Sequence, residues 1–555
     1  MPSRHPCHTS LRVGLLIDTW QVPHWVASTA AEITASNAAE IVAVIVNQQE
    51  SAYDPLLFYS SSYPSQFRLA QLYFALDYRV FRGPPDMPER VNLKDTWSAG
   101  TVIDTRPLFD GPRFRFNETD IAQLQALYLD VLLLFGFGLP AAQVLPLARY
   151  GIWSFLDHER LATRYAPTGF WEVLEHHPVV VQYLQAHVAD CPTPLVLHRF
   201  YGAVDRRSIR KTRHNLFAKT AAQIPRKLDA LYCHGSLNAL VGVSQQDEAF
   251  IPLKTPSAWV SLKAITSHLR RFVQDRRTYR RYIDQWVIGY TFETPQERIN
   301  REFTTYHWLI PPKDREWADP FPIQLGDQYF LFFEEYITAT QRGHLCVAAV
   351  DAQGLQEAPQ RLLQCDYHLS YPFIFTWEGE WYLLPEMQEA NRIDLYKFDT
   401  FPYSVTYYKT LMNNVCAVDT TLLEMNGCWW MFMTLAPAHT PHVDELFLFY
   451  AASPLGPWRS HPKQPIKSDV RASRPAGNVF ARHGTYYRPT QDCSWTYGYA
   501  IRLQKIRTLS ETDYAEEDAE VILPDWAPDI VQTHTLNLVG TMTAIDAKKR
   551  ALRQV

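Results

Sequence analysis

The first half of the chain alternates short, continuous apolar runs with segments of helical periodicity. The runs Val13–Ile17 and Ile41–Val46 are apolar throughout, which is typical of parallel strands covered on both faces. A third such run follows at Val131–Phe135. Helical patterns lie between the runs, at residues 25–34, 65–81 and 121–129. This alternation predicts an α/β, Rossmann-like domain whose ligands bind at the carboxyl ends of its strands.

From about residue 285 the pattern changes to short strands separated by turn residues, and one hairpin pattern recurs. In each copy a strand enters a tight turn at glycine, and aromatic residues open the return strand. The copies are Pro322–Phe332, Pro372–Leu383, Thr421–Phe432 and Gly477–Arg488. Their aligned glycines lie 48 to 57 residues apart, a spacing typical of propeller blades. A further strand is predicted after each copy, at Leu345–Val350, Ile393–Phe398, Leu446–Ala451 and Tyr499–Leu503.

The turn at Asn426-Gly427 is the strongest local signal in this repeat, because both central residues of a type I′ turn need positive φ. Four repeats leave a ring of blades open. The flanking segments 286–290, 304–310 and 531–544 supply strands for a fifth blade, and closing the ring removes exposed sheet edges. The second half is therefore predicted to be an all-β, five-bladed propeller.

A chain of 555 residues is too long for one ordinary core, so a multidomain protein is expected. The patterns divide it into an α/β domain at 1–232, a basic helical linker at 233–284, the propeller at 285–545 and a tail at 546–555.

Composition limits the cellular compartments and the classes of binding partner that are expected. The formal net charge of -5 argues against wholesale nucleic-acid binding. No secretory signal is recognisable, and the most apolar run, Val131–Leu139, is too short to span a bilayer. Eight single cysteines without a Cys-x-x-Cys pair fit reduced thiols better than a disulfide framework or a zinc site. A cytoplasmic protein with no transmembrane segment and no metal is expected.

Two basic stretches lie between the halves. Arg206–Lys227 holds eight Lys or Arg and no acid, and Ser261–Asp284 holds seven against two Asp. Either stretch is a solvated helix face, or a cradle for the phosphate of a nucleotide sugar or of an anionic lipid head group. Nucleic acid is not expected there, because no binding motif accompanies the charge.

Three acids next to the repeated hairpins are candidates for catalysis. Asp319 precedes the first copy, Asp419 precedes the third, and Glu386 follows the second. Glycoside chemistry needs one carboxylate as base or nucleophile and another carboxyl group as acid. The alternative is that an Asp before Pro or Thr only caps a strand or a turn.

The fourth repeat and the closing segment are rich in polar residues that suit sugar hydroxyls or a phosphate. The candidate substrate-binding residues are Arg474, Arg488, Gln491, Asp492, Tyr497 and His534. The alternative is an ion-pair network between neighbouring blades, and a single histidine is more often a packed residue than a ligand.

Several short motifs between residues 302 and 537 resemble one known domain. They are Trp317-Ala318-Asp319-Pro320-Phe321, Pro385-Glu386, Val418-Asp419-Thr420-Thr421, Arg474-Pro475-Ala476-Gly477 and the Arg488–Cys493 segment. Together they resemble the N-terminal propeller domain of glucosamine inositolphosphorylceramide transferases. The resemblance implies a role in glycosyl transfer.

Ala318-Asp319-Pro320 also resembles the first blade of the five-bladed arabinanase, xylosidase and levansucrase superfamily. That resemblance implies that acids from successive blades act as base, modulator and general acid. The second blade here offers Ser370-Tyr371-Pro372, with no aspartate at the expected place.

The first half resembles the formyltransferase domain of methionyl-tRNA formyltransferase relatives, through Asp130–Leu139 followed by Pro140. The family's Asn-x-His motif is replaced by Trp153 and Phe155. This departure implies a degenerate domain and makes folate an unlikely cofactor.

The sequence therefore favours a carbohydrate-active enzyme of surface-glycan biosynthesis, for glycosyl transfer or glycoside cleavage, with a glycan ligand and a nucleotide sugar as donor. One alternative is a non-catalytic protein that binds a glycan or a sugar nucleotide as a scaffold. The other is a sugar N-formyltransferase in which His158 has replaced the missing histidine.

Overall fold

The computed structural model describes residues 10–49, 68–81, 87, 89–111, 113–155, 168–241, 258–292, 299, 301–435 and 440–553. It divides into two compact units, Met1–Phe272 (unit 1) and Val273–Val555 (unit 2). None of the helices in these described ranges is both long enough and apolar enough to cross a membrane.

The strands of unit 1 are β1 Leu11–Ile17, β2 Gln21–Pro23, β3 Ala39–Asn47, β4 Arg90–Asn92, β5 Thr101–Thr105, β6 Leu108–Asp110, β7 Arg113–Arg115, β8 Val131–Leu134, β9 Leu139–Pro140, β10 Ile152–Phe155, β11 Val179–His187 and β12 Leu195–Ala203. The helices are α1 His24–Ala35, α2 Arg68–Val80, α3 Glu118–Gln125, α4 Phe170–Leu174, α5 Ile209–His234 and α6 Ala258–Arg281, which continues into unit 2. Short 3-10 turns lie at Leu93–Asp95, Ala142–Leu147 and Leu237–Ala239.

The main sheet of unit 1 has the order β12-β11-β10-β8-β1-β3-β5. The five strands from β10 to β5 are parallel, and β11 and β12 extend the sheet in antiparallel fashion. Val13 and Leu15 pack into one apolar core and Leu16 into a second. The predicted strands are confirmed, and their continuous apolar runs follow from burial on both faces.

The predicted helix at 121–129 begins three residues earlier than expected. The Asn117 side chain accepts a hydrogen bond from the Asp120 backbone N–H at 2.8 Å and so caps the first turn. The helix ends at Gln125, and Tyr128 has a φ of 48°. This cap sets the start of the helix, and it cannot be recognised from the pattern of apolar residues.

The residues that replace the formyltransferase motif serve the core of unit 1. Trp153 and Phe155 are fully buried, and Phe155 packs edge-on against Trp25 at 5.8 Å. His158 lies outside the described residues. The positions that would carry formyl transfer thus contribute packing.

The two basic stretches differ in exposure. Arg206–Lys227 leads into α5 and covers most of it; Arg213 and Lys219 are buried while Arg206, Arg207 and Lys211 are exposed, so only part of this charge lies on a solvated face. Residues 261–284 form α6 and the start of the next strand, and most of the α6 side chains face solvent.

The strands of unit 2 are β13 Tyr282–Phe292, β14 His307–Leu309, β15 Arg315–Leu325, β16 Gln328–Ile337, β17 Arg342–Asp351, β18 Gly354–Leu355, β19 Gln360–Leu363, β20 Ser370–Trp377, β21 Glu380–Glu386, β22 Arg392–Thr400, β23 Ser404–Asn413, β24 Ala417–Met425, β25 Cys428–Leu435, β26 Leu446–Ala451, β27 Arg459–Ser460, β28 Phe480–Arg482, β29 Thr485–Asp492, β30 Ala500–Leu509, β31 Tyr514–Ile522, β32 Ile530–Gln532, β33 Leu536–Val539 and β34 Met542–Leu552. Phe303–Thr305 and Gln388–Ala390 are 3-10 turns.

These strands form five antiparallel sheets, here named S1 to S5. S1 combines β13 and β14 with β32, β33 and β34, S2 holds β15–β19, S3 holds β20–β23, S4 holds β24–β27 and S5 holds β28–β31. Apolar clusters join S1 to S2, S2 to S3 and S4, S4 to S5, and S5 back to S1. The two ends of unit 2 thus meet in S1.

All four predicted hairpins are present with two-residue turns. Both central residues have positive φ at Glu378-Gly379, Asn426-Gly427 and His483-Gly484, as a type I′ turn requires. The strands predicted after each copy correspond to β17, β22, β26 and β30.

The limits of the second half need a correction. β34 runs through Leu552, into the residues assigned to a tail, and β13 begins at Tyr282, three residues before the predicted start. The two strands pair without interruption from Tyr282↔Leu552 to Phe292↔Met542. This pairing extends the sheet beyond the limits that the apolar pattern predicted.

Candidate functional site

Three successive sheets of unit 2 carry a strained residue at the same place in their first strand. Asp319 in S2, Tyr371 in S3 and Asp419 in S4 have φ values of 52°, 45° and 51°. Each lies in an irregularity where two residues leave the ladder with the neighbouring strand. Side chains other than glycine rarely adopt this conformation, and such strain concentrates at functional sites.

A carboxylate from a neighbouring sheet accepts the backbone N–H of each strained residue. Asp546 Oδ2 accepts from Asp319 at 3.1 Å, and Asp319 Oδ2 accepts from Tyr371 at 3.1 Å. Glu386 Oε2 accepts from Asp419 at 3.2 Å. These bonds run from S1 to S2, S2 to S3 and S3 to S4. Bonds to carboxylates are stronger than neutral ones, so the acids that form the cluster also hold its backbone.

Asp319 lies at the centre of this network. Its Oδ1 accepts from the Thr535 hydroxyl at 2.7 Å and lies 3.7 Å from His534 Nε2. Burial raises the pKa of Asp319 to about 6; His534 opposes the rise, and the Asp419 and Asp546 carboxylates add to it. Asp319 is therefore a carboxyl group that exchanges its proton close to neutral pH.

His534 joins Asp319 to S1 and to the aromatic wall of the site. Its Nδ1 lies 2.6 Å from Asp546 Oδ2, and its ring stacks on Trp286 with centroids 4.1 Å apart. Burial alone lowers the pKa of the imidazole, but the Asp546 and Asp319 carboxylates outweigh it, and the net shift is upward. His534 thus lies between two carboxylates that favour its protonated form.

Asp419 is held by side chains that approach from S5. Its Oδ2 accepts from Arg474 Nε at 2.6 Å and from Gln491 Nε2 at 2.7 Å. Its Oδ1 accepts from Arg474 Nη2 at 3.3 Å. Such a bidentate pair fixes the position of the carboxylate and balances its charge.

Glu386 is a buried acid whose surroundings favour the protonated form. Burial raises its pKa well above the usual range; the Asp419 carboxylate adds to the rise, and Arg474, at 3.6 Å, opposes it. A buried carboxyl group that stays protonated at neutral pH is able to donate a proton to a leaving group.

Tyr497 connects this buried cluster to solvent. Its side chain is partly exposed, its hydroxyl accepts a long hydrogen bond from Arg474 Nη2 at 3.4 Å, and the guanidinium lies 4.9 Å from the ring centroid. The ring also meets His534 edge-on at 5.6 Å. An exposed aromatic ring above buried polar groups is suited to stack on a sugar.

The structure gives two of the predicted substrate-binding residues other partners. Arg488 is buried in an ion pair with Glu516 at 2.8 Å and donates to the Ala472 carbonyl. Asp492 accepts from Arg502 Nε at 2.8 Å and from the Ser494 backbone. Both residues stabilise S5, so their assignment to substrate binding is corrected.

Gly477 brings S5 close to S1 and S3. Its backbone N–H donates to the Tyr371 hydroxyl at 2.8 Å, and its φ is 130°. A Cβ atom there would lie 2.2 Å from the Leu536 carbonyl oxygen. The Pro-Ala-Gly motif therefore needs glycine for close backbone approach.

Sequence reasoning missed three groups at this site. Tyr371 fills the position that aspartates hold in S2 and S4, and the buried Asp546 accepts from the backbone of His534 and Thr535. Glu334 on β16 is buried, and its pKa is raised well above its usual range by burial and then by the Asp319 carboxylate. A single acid within the apolar run Ala544–Ala547 was the available signal for Asp546.

Two groups of described residues have the ligand types for a metal ion. Asp319, His534 and Asp546 offer atoms within 4.8 Å of one another, as do Glu335, His344 and Cys346. In the first group the protein itself satisfies the carboxylates, through backbone N–H groups, Thr535 and His534. The arrangement of the first group is thus explained by hydrogen bonds and an ion pair.

Solved structures of glycoside hydrolases are similar to part of the chain. One is Zg3597, a family 117 glycoside hydrolase from Zobellia galactanivorans, at 13% identity and a TM-score of 0.32 over 48% of this chain and 91% of that one. Another is the α-L-arabinofuranosidase PaAbf62A from Podospora anserina, at 12% identity and a TM-score of 0.31 over 42% and 90%.

Sequence similarity is concentrated in unit 2. Residues 314–527 match a family model described as "Glucosamine inositolphosphorylceramide transferase 1, N-terminal". The matched residues include Asp319, Glu386, Asp419 and Arg474, but not His534. The resemblance of the first half to formyltransferases lies outside this match and stays a prediction.

Curated relatives agree with the family model. Glucosamine inositolphosphorylceramide transferase 1 from Oryza sativa subsp. japonica is 38% identical over 203 residues, which are 36% of this chain and 27% of that protein. The protein of the same name from Arabidopsis thaliana is 35% identical over 206 residues, 36% and 26% of the two chains. The chain spans about a quarter of the length of these relatives, and over that span it is similar to the N-terminal domain of glucosamine inositolphosphorylceramide transferases.

Proposed function

We propose that unit 2 is a five-bladed β-propeller and that its acid cluster acts on a carbohydrate, as part of an enzyme that transfers a glycosyl group. Sheets S1 to S5 are its blades. The uninterrupted pairing of β13 with β34 supports this reading, since it joins both ends of unit 2 in one blade. Closure of this kind removes the free edges that an open row of sheets would expose.

The observation that carries the proposal is the geometry of two buried acids: Asp319 accepts a backbone N–H from S3 and Glu386 one from S4, and burial raises the pKa of both. Glu386 keeps its proton and is the general acid for a leaving group. Asp319, with a pKa of about 6, is ionised at neutral pH and acts as base or stabilises positive charge at the anomeric carbon. Asp419 orients Arg474 and Gln491 and, through its backbone N–H, the Glu386 carboxyl group.

The relatives supply the class of substrate. Their name describes transfer of glucosamine to inositolphosphorylceramide, and the similar segment contains most of the acid cluster. A nucleotide sugar as donor and a glycolipid with an inositol phosphate group as acceptor are therefore the proposed substrates. Because Arg474 and Asp419 are paired with each other, the exposed ring of Tyr497 is the group placed to face the sugar.

A second candidate function is glycan binding without catalysis. It is favoured by the full engagement of Asp419 with Arg474 and Gln491, and by Tyr371 in the place of a third acid. In that case the cluster is a rigid set of polar groups beneath the ring of Tyr497.

The two candidates are separated by measuring turnover and binding on the same full-length protein. Wild-type protein is incubated with a panel of nucleotide sugars and inositolphosphorylceramide, and separately with nitrophenyl glycosides, and products are identified by mass spectrometry. Transfer or glycoside cleavage by the wild type that a Glu386→Gln variant catalyses far more slowly supports the enzyme. Calorimetric binding of the inositol phosphate glycan head group without turnover supports the binding protein instead.

The rate of transfer is expected to have a bell-shaped pH dependence. Asp319 becomes ionised as the pH rises through about 6, so kcat/KM increases there, and it decreases at higher pH as Glu386 loses its proton. The measurement is kcat/KM between about pH 4.5 and 9.5. The residual activity of Glu386→Gln should keep the acid limb and lose the alkaline limb; an unchanged alkaline limb would contradict the role of Glu386.

A further inference from the structure

Helix α6 presents a row of apolar side chains to solvent. Trp259, Leu262 and Leu269, with Thr266 between them, follow one another at spacings of three, four and three residues and so share one face. The three apolar side chains are between 40% and 72% exposed. Ile265 and His268 are buried on another face of the helix.

Helix α2 contacts α6 and has an exposed apolar row of its own. Tyr73 of α2 meets His268 of α6 edge-on, with ring centroids 5.9 Å apart. Leu72, Leu76 and Val80, each four residues from the next, are between 55% and 68% exposed. Single exposed apolar residues are ordinary, but rows on two helices in contact indicate an interaction surface.

Basic side chains border the row on α6. Lys263 and Arg270 are exposed and lie one residue from Leu262 and Leu269. The helix as a whole holds seven Lys or Arg and one acid, Asp275, in a chain whose formal net charge is -5. Two of the seven, Lys263 and Arg270, thus lie beside the exposed apolar side chains, and the other five follow towards the end of the helix.

We infer that the exposed apolar row of α6, with the cations beside it, binds the surface of an anionic lipid bilayer. An amphipathic helix with Trp and Leu on its apolar side and Lys and Arg beside them inserts its apolar row at the head-group boundary, and anionic lipids attract its cations. Nucleic acid would leave the apolar rows in water. A second copy of the same face would bring like charges together, because symmetric contacts pair a patch with itself. A lipid surface accommodates both the apolar row and the cations. The inference does not depend on the proposed catalysis.

The test is sedimentation of the full-length protein with vesicles. Vesicles of phosphatidylcholine with 30% phosphatidylserine, a composition chosen as roughly that of an anionic leaflet, are compared with phosphatidylcholine alone. Binding to the anionic vesicles is expected, together with weakening by salt. A Lys263→Glu/Arg270→Glu variant should lose at least about tenfold in partition coefficient, and Trp259→Ala/Leu262→Ala a similar factor.

Matched controls are Arg342→Glu and Leu325→Ala, exposed residues of S2 that should leave partitioning unchanged. No binding to anionic vesicles, or equal binding by the α6 variants and the controls, overturns the inference. The inference is also overturned if the Trp259→Ala/Leu262→Ala variant has a lower sedimenting mass in solution than the wild type and still binds vesicles. The apolar row would then be a contact between copies of the protein. It is overturned as well if duplex DNA or RNA, added at a total charge equal to that of the lipid, displaces the protein from the vesicles.

Discussion

An Asp319→Asn variant is expected to lose about 10²- to 10⁴-fold in kcat for glycosyl transfer while keeping its fold. Asparagine has the size of aspartate and accepts a hydrogen bond from either Thr535 or the Tyr371 backbone. It neither takes up a proton nor carries the negative charge that faces His534. The measurement is turnover with the substrate identified from the nucleotide-sugar panel, at the pH of maximal wild-type rate.

The matched control is Asp327→Asn, an exposed aspartate in the hairpin turn of the same sheet. Its turnover should equal that of the wild type. Asp319→Asn should melt only a few degrees lower, because one of two buried hydrogen bonds is weakened. Turnover of Asp319→Asn within about twofold of the wild type would exclude Asp319 from the reaction. If Asp319→Asn does not fold, the acid limb in the pH profile of Glu386→Gln tests the role of Asp319 instead.

Strain and charge depend on each other in this site. Asp319 and Asp419 have unfavourable backbone angles, and neighbouring acids stabilise them by accepting their N–H groups. Those acids are in turn held by His534 and Arg474. An acid of one sheet therefore fixes the strained residue of the next, and the positions of the carboxyl groups are set by the protein itself.

Local turn chemistry explains why the hairpins could be predicted. Asn426-Gly427 and the other glycine turns determine backbone angles within four residues, and the strands on either side follow from them. Asp319 and Asp419 could be singled out for a related reason, because each stands shortly ahead of a copy of the repeated pattern. Tyr371 occupies the equivalent position, but an aromatic residue in a strand carries no signal of its own.

Residues brought together by the pairing of β13 with β34 could not be predicted. Asp546 lies 227 residues after Asp319, and only the pairing of β34 with β13 brings it to the site. The error at Arg488 was avoidable. Side chains alternate between the faces of a strand, so Arg488 and Gln491, three residues apart on β29, point in opposite directions. Gln491 reaches Asp419, and Arg488 reaches Glu516.

That buried pair makes Arg488 the site of the largest expected loss of stability. Arg488 and Glu516 are both buried, and replacing Arg488 with methionine leaves Glu516 with Lys467, at 3.0 Å, as its one remaining cation. Removing one partner of a buried ion pair costs about 3–5 kcal/mol. We therefore expect the free energy of unfolding of Arg488→Met to decrease by about 3 kcal/mol at pH 7, as measured by urea titration.

The pH dependence identifies the cause. Burial alone raises the pKa of Glu516, but Arg488 and Lys467 outweigh it and lower the pKa to about 2. Because the folded value lies below the unfolded one, the pair stabilises the protein above about pH 4.5, and this contribution is lost as the pH falls towards 2. The difference between the wild type and Arg488→Met should accordingly shrink between pH 5 and pH 3. Arg507→Met, which breaks the exposed pair with Glu517 in the same sheet, should cost far less than Arg488→Met, and equal losses in the two variants would show that burial of the ion pair is not what stabilises S5.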